Sequence, residues 1–338
     1  MPIKISICIP TYNHSAHLAN CLQSIVSNNE RSNMDFEVCV SDNCSTDDTE
    51  DVVRRAQQSV PITYSKNDRN LGAPQNYLNV VKIAKGEFIW LIGDDDLLLQ
   101  NAIKKVCKMI SDNEFVDYFF INTYHLSSDY VFSCPQPFSC LDLPAKMKRF
   151  SSWKKTGEMR FMELIDPKIS FDFLGGIYLS VFRRNNWMSH ANILAKEALL
   201  DNRLFSHFDN TFPHIKIFSK AFSNSKAYIH AEPLSVSLSG ARHWSAMYSL
   251  VRSVRLLEAL REYRKNGLPI FRYIMCKNYA LRYFVPDFLS MLINRKSSGF
   301  FYVKPFKLVV NNLLYPGLYF SVVYYFIRKL KPISNWWI

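Results

Sequence analysis

Short apolar runs alternate with helix-periodic segments four times within the first 122 residues. The strand-like runs are residues 4–10, 36–40, 62–64, 88–92 and 118–122. Apolar residues at helical spacing follow each of the first four runs, as in the series Leu18, Cys21, Leu22 and Ile25. Strands without polar alternation are buried on both faces, which is typical of parallel sheets covered by helices. We therefore predict an α/β fold with a mostly parallel sheet flanked by helices.

The fourth apolar run ends in Gly93 and then in three consecutive carboxylates, Asp94, Asp95 and Asp96. Adjacent carboxylates repel one another unless a cation lies among them, and hard divalent cations such as Mg²⁺ and Mn²⁺ prefer oxygen ligands. In an extended segment, side chains two residues apart point to the same side, so we expect Asp94 and Asp96 to face one ion together. The alternative is a solvated acidic turn without a ligand.

Polar side chains follow three of the predicted strands at the point where each strand ends. They are Thr11 and Asn13 after the first strand, Asp42 after the second and the acidic triplet after the fourth. Ligands of open α/β sheets bind at the carboxyl ends of the strands, so these residues are candidates for one binding site.

Two common nucleotide-binding sequences are missing from the chain. No Gly-x-Gly-x-x-Gly follows the first strand, and the chain has no Gly-x-x-x-x-Gly-Lys-Ser/Thr. Their absence argues against a dinucleotide-dependent dehydrogenase and against a P-loop NTPase. A metal held by the acidic triplet is then expected to meet the charge of a bound phosphate.

Positive charge is concentrated at the end of the chain. The net charge is +12, and residues 251–338 contain fifteen Lys or Arg against three Asp or Glu, whereas the first 250 residues carry 26 of each sign. A basic and aromatic tail after a neutral half indicates contact with an anionic surface. The eight cysteines form no Cys-x-x-Cys pair and no charged, apolar leader precedes the first strand, so we expect a cytosolic protein with reduced thiols.

Four motifs occur in order within the first third of the chain. They are Ile7-Cys8-Ile9-Pro10-Thr11-Tyr12-Asn13, Val40-Ser41-Asp42-Asn43-Cys44-Ser45-Thr46-Asp47-Asp48-Thr49, Asn70-Leu71-Gly72, and Lys85-Gly86-Glu87-Phe88 leading into the triplet. In these motifs the chain resembles the family 2 nucleotide-sugar glycosyltransferases of GT-A (Rossmann-like) fold. The resemblance implies a sugar transferase that uses a nucleoside-diphosphate sugar and a divalent cation, Mn²⁺ or Mg²⁺.

The resemblance also implies roles for individual residues. Asp42 would bind the edge of a pyrimidine base, and the triplet would be the Asp-x-Asp motif that holds the ribose and the metal-bound diphosphate. The residues implied in nucleotide binding are Pro10, Thr11, Asn13, Asp42, Asn70, Asp94 and Asp95. The metal ligands implied in the triplet are Asp94 and Asp96.

The chain departs from the family pattern in two places. Asn43 and Cys44 stand where the family usually has Asp and Gly, and the family's catalytic Glu-Asp pair has no clean copy. The nearest candidate for the catalytic residue is Asp209, within residues 206–214. Asp209 is predicted either to take the proton of an acceptor hydroxyl or to cap a helix that begins near Pro213. If the reaction retains configuration, Asp209 would instead orient the acceptor or the sugar.

Two further segments carry candidate ligand-binding residues. Asp172 is followed by Gly175 and Gly176, and paired glycines allow close backbone approach to a ligand, so this stretch is a candidate acceptor wall. By resemblance to GT-A enzymes, a late histidine completes the metal site, and the run Arg242-His243-Trp244 contains one. Arg242 is expected to meet the diphosphate or the acceptor, together with Trp244.

The basic tail has two parts. Residues 251–265 are amphipathic at helical spacing, and residues 308–327 contain no charged side chain. The length of the second part would permit a membrane span, but Asn311, Asn312, Pro316 and Gly317 interrupt it. We predict two short helices lying in the membrane interface, with Lys and Arg meeting anionic lipid. Trp336 and Trp337 fit headgroup depth, and the aromatic residues do not form a nucleic-acid stacking platform.

The predicted organisation is a GT-A catalytic domain at residues 1–245 and a helical, membrane-associating region at 246–338. The catalytic domain would comprise a nucleotide-sugar half at about 1–122 and an acceptor half at about 123–245. By resemblance to bacterial O-antigen transferases, the donor would be a CDP-3,6-dideoxyhexose such as CDP-abequose, and the acceptor a polyprenyl-diphosphate-linked oligosaccharide at the cytoplasmic face of the inner membrane. The alternatives are a UDP- or dTDP-sugar transferase and an inactive nucleotide-sugar-binding module.

Overall fold

A computed structural model describes residues 3–28, 36–240 and 245–330 of the chain. Within these residues, ten strands form a single mixed sheet. The strands are β1 Ile5–Thr11, β2 Phe36–Asp42, β3 Ile62–Lys66, β4 Phe88–Leu91, β5 Asp96–Leu98, β6 Tyr118–Ser127, β7 Lys148–Arg149, β8 Gly157–Arg160, β9 Ser180–Arg183 and β10 Lys226–Ser239.

Helices cover both faces of the sheet and make up most of the C-terminal region. The α-helices are α1 Ser15–Asn28, α2 Thr49–Ala56, α3 Ala73–Ile83, α4 Ala102–Asp112, α5 Ser128–Phe132, α6 Arg184–His190, α7 Lys196–Leu200, α8 Phe208–Thr211, α9 Pro213–Ala221, α10 Tyr248–Leu250, α11 Leu256–Lys265, α12 Ile270–Ala280, α13 Phe284–Ile293, α14 Pro305–Val310 and α15 Pro316–Leu330. A π-helical turn, Val251–Arg255, joins α10 to α11.

The sheet has the order β3-β2-β1-β4-β9-β6-β10-β5. Strands β3, β2, β1 and β4 are mutually parallel, as the alternating sequence pattern predicts. Beyond β4 the sheet becomes mixed, because β9 lies antiparallel to both β4 and β6, while β6 and β10 are parallel. The α/β fold with a helix-flanked sheet is therefore confirmed, and the run of four parallel neighbours is formed by β1 to β4.

Two apolar layers explain why the first strands lack polar alternation. Strands β1, β2 and β4 are buried along their whole length. On one face, Leu18 and Ile25 of α1, Val53 of α2 and Ile103 of α4 pack against the sheet. On the other face the sheet meets α3, α6 and α9, with Trp187 among the residues that pack there. Burial on both faces selects apolar residues at every strand position.

The C-terminal helices pack on this second face. Leu257, Leu260 and Tyr263 of α11 belong to the same apolar cluster as the sheet residues Tyr118 and Phe182. Helix α11 also forms a hydrogen bond of 3.0 Å from the Tyr263 hydroxyl to the Phe173 carbonyl. The C-terminal helices thus share a core with the sheet, while the predicted domain bounds stay a prediction.

The end of the chain forms two helices with a break at residues 311–315, as predicted from its polar and proline interruptions. Gly317 lets α15 approach α12 closely, because a Cβ atom there would lie 2.2 Å from the Asn278 carbonyl oxygen. Among the described residues, no helix has both the length and the apolar composition that crossing a bilayer requires. Trp336 and Trp337 lie outside the described residues.

Candidate active site

The end of β1 meets the acidic triplet. Strands β1 and β4 are parallel neighbours with Cys8 opposite Leu91, so their carboxyl ends lie at the same edge. The Thr11 hydroxyl donates a hydrogen bond of 2.7 Å to Oδ2 of Asp94. Sheet topology therefore brings together two of the predicted nucleotide-binding residues.

Asn13 and Pro10 shape the turn between β1 and α1. Pro10 is buried at the end of β1, opposite Ser41 of β2. Asn13 has a positive φ of 49°, and its Oδ1 accepts a hydrogen bond of 2.8 Å from the Thr46 backbone N–H. Its own N–H donates to the Ser45 hydroxyl at 2.9 Å. Ser45 and Thr46 thus bind this turn, and α2 begins later, at Thr49.

Asp42 is fully buried at the end of β2. Its Oδ2 accepts a hydrogen bond of 2.6 Å from the Tyr64 hydroxyl, and its Oδ1 accepts one of 2.8 Å from the Ser45 backbone N–H. Burial, and then the hydrogen bond to Asp42, raise the pKa of Tyr64, so the phenol stays a proton donor. Asp42 does not cap α2, since the Thr49 N–H at its start bonds Asp47.

An amide network occupies the place where the chain departs from the family pattern. Asn43 donates a hydrogen bond of 2.8 Å from Nδ2 to Oδ1 of Asn70, and its own Oδ1 accepts the Leu71 N–H at 2.8 Å. Asn70 Oδ1 also accepts the Gly72 N–H at 2.8 Å. An aspartate side chain at position 43 would have no N–H to donate to Asn70 Oδ1, so the asparagine fits this particular network.

The triplet is a turn rather than an extended segment, with residues 94–95 in the turn and β5 beginning at Asp96. A Cβ atom built on Gly93 would lie 2.5 Å from Asp95 Oδ1 and 3.1 Å from Asp96 Oδ2, so both carboxylates lie against this glycine. Asp96 Oδ2 accepts the Gly93 N–H at 2.7 Å. The extended backbone assumed for the triplet was therefore wrong, while the expectation that Asp94 and Asp96 face one ion stays a prediction.

The carboxylates offer the hard oxygen donors that Mg²⁺ and Mn²⁺ prefer. Among the described residues, no group of three His, Cys, Asp or Glu is arranged to hold a metal ion. This donor set suits a cation that takes one or two carboxylates and completes its shell with water and substrate phosphates. Arg242, His243 and Trp244, including the predicted third metal ligand, lie outside the described residues. The strand before them, β10, pairs Ser237 with Asp96.

Asp209 lies in α8 and is buried. Its Oδ2 accepts hydrogen bonds from Lys216 Nζ at 2.6 Å and from the Ala195 N–H at 2.8 Å. A helix does begin at Pro213, but it has no side-chain cap, so the helix-cap alternative is wrong. Both of these hydrogen bonds use Oδ2.

The Asp172 loop packs beside this element. A Cβ atom on Gly175 would lie 3.2 Å from the Phe212 ring, and the buried Gly176 follows. Asp172 Oδ1 accepts a hydrogen bond of 2.7 Å from the Ser170 hydroxyl. The structure therefore brings the predicted acceptor wall next to the segment that carries Asp209.

Two strained residues hold the Asp172 loop in shape. Phe173 and Leu174 are buried with positive φ values of 53° and 68°. His214 Nε2 lies 3.1 Å from the Leu174 carbonyl oxygen and secures this conformation. Burial lowers the pKa of His214 to about 4, so the ring is neutral and its Nε2–H donates to that carbonyl. Surrounding packing must hold such backbone conformations, and they concentrate at functional sites.

Residues 6–166 match the family described as "Glycosyl transferase family 2". This segment, just under half of the chain, is similar to family 2 glycosyl transferases. Abequosyltransferase RfbV of Salmonella typhimurium is 28% identical to the chain over 243 residues, which are 69% of this chain and 66% of that protein. The alignment thus spans just under two thirds of the relative's length. The predicted resemblance to family 2 enzymes and to abequosyltransferases is confirmed.

Solved structures agree on the fold of the matched segment and of the helices after it. The structure of residues 1–349 of Staphylococcus aureus TarS in complex with UDP has a TM-score of 0.51 at 17% identity, covering 84% of this chain and 81% of that one. The mannosyltransferase PcManGT from Pyrobaculum calidifontis, with GDP-Man and Mn²⁺, has a TM-score of 0.52 at 13% identity, covering 99% and 89%. These likenesses support the predicted GT-A fold.

Sequence reasoning missed His14, which follows β1. His14 Nδ1 lies 2.9 Å from Asp94 Oδ1, and its ring stacks on His17 with centroids 3.8 Å apart. Burial lowers the pKa of His14, but the hydrogen bond and charge of Asp94 outweigh it, so the net pKa is raised. The available signal was its position, just after β1 and before α1.

Tyr64 and Lys216 were also missed as partners of Asp42 and Asp209. Tyr64 stands on β3 and Lys216 on α9, and neither lies in a recognisable motif. Each reaches its carboxylate through the packing of neighbouring elements.

Proposed function

We propose that the chain is a glycosyltransferase that moves a sugar from a nucleoside-diphosphate donor to an acceptor hydroxyl. The observation that carries this proposal is the 2.7 Å hydrogen bond from Thr11 to Asp94, two residues 83 positions apart that meet at the carboxyl edge of the sheet. Asp42 lies buried at the end of the neighbouring strand, which supports a nucleotide site at the same edge.

A divalent cation, Mn²⁺ or Mg²⁺, would be held by Asp94 and Asp96 together with the donor diphosphate, with His243 as the third protein ligand. When bound, the cation neutralises the charge that develops on the leaving diphosphate. Asp95 lies against the same glycine and adds negative potential at this position. Gly93 keeps room for these carboxylates, because any side chain there would meet Asp95.

Asp209 is the candidate for the group that receives the acceptor proton. Lys216 and the Ala195 N–H hold Oδ2, so the carboxylate keeps one orientation and Oδ1 is available to the acceptor hydroxyl. The loop with Asp172 and Gly175 would form the acceptor wall beside it. If configuration is retained, Asp209 orients the acceptor instead of taking its proton.

The donor is proposed to be a CDP-3,6-dideoxyhexose such as CDP-abequose, and the acceptor a polyprenyl-diphosphate-linked O-antigen oligosaccharide. Support comes from the similarity to abequosyltransferase RfbV over 69% of the chain. A UDP- or dTDP-sugar transferase for another cell-surface polysaccharide is the alternative within the same reaction class. A nucleotide-sugar-binding module without turnover is the alternative from another class.

The C-terminal helices are proposed to place the enzyme on the cytoplasmic face of the bacterial inner membrane. Large apolar side chains are exposed on α12, α14 and α15, among them Phe271, Phe306, Phe320 and Val323. Exposed apolar surface next to basic residues suits an interfacial position. Removing residues 308–338 should shift the protein from the membrane to the soluble fraction after lysis. Unchanged partitioning would count against the interfacial role.

The catalytic proposal is tested by transfer of labelled sugar from CDP- and UDP-donors with Mn²⁺. Asp94→Asn keeps the shape of the side chain and should lower turnover about 100-fold or more, since it weakens stabilisation of the leaving group. Asp112→Asn is the matched control, because its exposed side chain at the end of α4 lies outside the site. Full activity of Asp94→Asn in EDTA would refute the metal role.

A thermal-shift screen of nucleotide sugars identifies the donor, since a bound ligand raises apparent stability by mass action. A shift with CDP-sugars and transfer to a lipid-linked acceptor would support the abequosyltransferase-like proposal. A shift with UDP- or dTDP-sugars would favour the alternative donor. Binding without hydrolysis or transfer under any metal condition would favour the inactive module.

A further inference from the structure

A cavity of about 380 Å³ opens in the C-terminal region between α11, α12 and the segment leading into α14. Its volume is in the range of small-molecule sites. Four cationic side chains line it, namely Arg261, Lys277, Lys304 and Lys307, together with the carboxylate of Glu258. We call it the basic cavity.

The acidic residues of this region form ion pairs with cations other than the four that line the basic cavity. Residues 251–338 contain only three Asp or Glu. The N···O distances of these ion pairs are 2.7 Å for Arg255 and Glu258, 2.6 Å for Lys265 and Glu262, and 2.6 Å for Arg252 and Asp287. Throughout the part of the chain that the structure describes, no carboxylate lies within ion-pair distance of the four cations of the basic cavity.

Lys277 is the most informative of the four because it is only 8% exposed. Its Nζ donates to the Asn311 carbonyl oxygen at 3.2 Å and lies 3.7 Å from the centroid of the Tyr315 ring. Burial and the neighbouring Arg261 lower the pKa of Lys277 to about 8. A buried ammonium without a carboxylate is costly, and such groups are retained where a ligand supplies the opposite charge.

An apolar surface adjoins the basic cavity. Helix α14 carries Lys307 of the cavity and also Phe306, which is 82% exposed. Leu314, after this helix, is 93% exposed and lines a second, apolar hollow together with Phe320 and Val323 of α15. A phosphate-binding cavity bordered by apolar side chains matches the two chemistries of a lipid headgroup and its chains.

We propose that the basic cavity binds the diphosphate headgroup of the membrane lipid that carries the acceptor, with the apolar surface of α14 and α15 against the lipid chains. This deepens the proposed function and rests on it. Arg255, one turn from the cavity, links it to the acceptor side, since its guanidinium pairs with Glu258 and donates to the Phe205 and Ser206 carbonyls. The cavity wall is thereby fixed to the segment that leads into Asp209.

The first experiment measures binding of inorganic pyrophosphate to the full chain by titration calorimetry in EDTA. Lys277→Met and Lys304→Ala should each weaken binding about tenfold, as expected for loss of a charge-assisted hydrogen bond. Lys296→Ala removes the same charge from an exposed site of the same region and should leave binding unchanged. Equal affinities in all four proteins would overturn the proposal.

The second experiment separates a lipid-borne diphosphate from free pyrophosphate and from general negative charge. The full chain is sedimented with phosphatidylcholine vesicles that contain polyprenyl diphosphate, or phosphatidylglycerol at equal charge. Lys277→Met and Lys304→Ala should lose the preference for polyprenyl diphosphate vesicles, while Lys296→Ala keeps it. If wild type shows no such preference, or binds pyrophosphate but not these vesicles, the lipid assignment is wrong.

Donor turnover distinguishes failure of this inference from failure of the proposed function. If wild type transfers sugar but the cavity variants bind polyprenyl diphosphate as wild type does, the cavity assignment alone fails. If wild type has no donor turnover and the cavity variants still lose binding, the cavity stands and the glycosyltransferase proposal fails. Circular dichroism and a cooperative melt establish that Lys277→Met is folded in both cases.

Discussion

The acidic edge of the sheet and the basic cavity of the C-terminal helices differ in the sign of the charged side chains that they bring together. At the sheet edge, carboxylates gather and are held largely by hydroxyl and amide donors such as Thr11, Tyr64 and the Gly93 N–H. In the basic cavity, cations gather, and Lys277 among them is held by a carbonyl oxygen and aromatic rings. Neutral donors and acceptors orient a charge without neutralising it, so each region still attracts a ligand of the opposite sign.

Other charges in the same helices show that the difference is local. Arg252 forms a bidentate pair with Asp287, and Arg255 pairs with Glu258. The C-terminal region therefore pairs the partly buried Arg252 and the buried Arg255 with carboxylates. Charge that the fold leaves uncompensated marks the positions where a ligand is expected.

The largest expected effect comes from breaking a neutralised pair. Asp287→Ala should lower the free energy of unfolding by about 3–5 kcal/mol, because it removes the buried carboxylate that pairs with the largely buried Arg252. Urea denaturation of the full chain measures this loss. The double variant Arg252→Met/Asp287→Leu should recover most of it, and a double variant as unstable as the single one would contradict the pairing argument.

The pH dependence of the free energy of unfolding tests His214, whose ring the fold keeps neutral. Its pKa is about 4 in the folded protein, below the ordinary value of about 6.5, so its stabilising contribution is present above pH 6.5. As the pH falls from 6.5 towards 4, the unfolded chain takes up the proton first, and about 3 kcal/mol is lost at most. His214→Gln keeps a side-chain N–H donor for the Leu174 carbonyl oxygen. It should remove the fall in unfolding free energy between pH 6.5 and 4, measured by urea denaturation. An unchanged fall would exclude His214 as its source.

Two glycines allow a direct contrast between the regions. Gly317→Ala brings a Cβ to 2.2 Å from the Asn278 backbone oxygen, and rigid backbone cannot yield, so we expect about 1–3 kcal/mol of destabilisation in urea. Gly93→Ala meets the Asp95 side chain, which can rotate, so it should cost less stability but reduce metal-dependent sugar transfer. The opposite ranking would mean that the acidic edge is structural.

The smallest effect is expected for Lys277→Met. Removing a buried, unpaired charge should change the free energy of unfolding at pH 7 by no more than about 1 kcal/mol, on the stabilising side. Because the folded pKa of about 8 lies below the ordinary value of 10.5, wild-type stability should rise between these pH values and the variant's should not. Clear destabilisation would show that Lys277 serves the fold rather than a ligand.

The sequence predicted the parallel half of the sheet and the meeting of Thr11 with the triplet. Both follow from local pattern, because unbroken apolar strands imply burial on two faces and parallel strands end at the same edge. The break between α14 and α15 was equally readable from Pro316 and the asparagines before it. The roles assigned to the site residues stay predictions that the transfer assays test.

Other features depended on contacts between distant residues. The orientation of the triplet depends on a turn, whereas the sequence argument assumed an extended strand. Asp209 accepts hydrogen bonds from Lys216 and Ala195 and does not cap a helix. His14 reaches Asp94 across 80 positions of the chain. A local sequence pattern carries information only on nearby residues of the chain. It therefore does not identify a hydrogen-bond partner that lies on another helix or strand.

By itself, the sequence determined that strands and helices alternate, that carboxylates stand at the strand ends and that the tail is basic. Tertiary structure alone decided that β9 enters the sheet antiparallel between β4 and β6, and that the tail cations surround a cavity. The physical reason is that backbone periodicity and burial are encoded over a few residues. Strand insertion and charge neutralisation depend instead on which distant segments pack together.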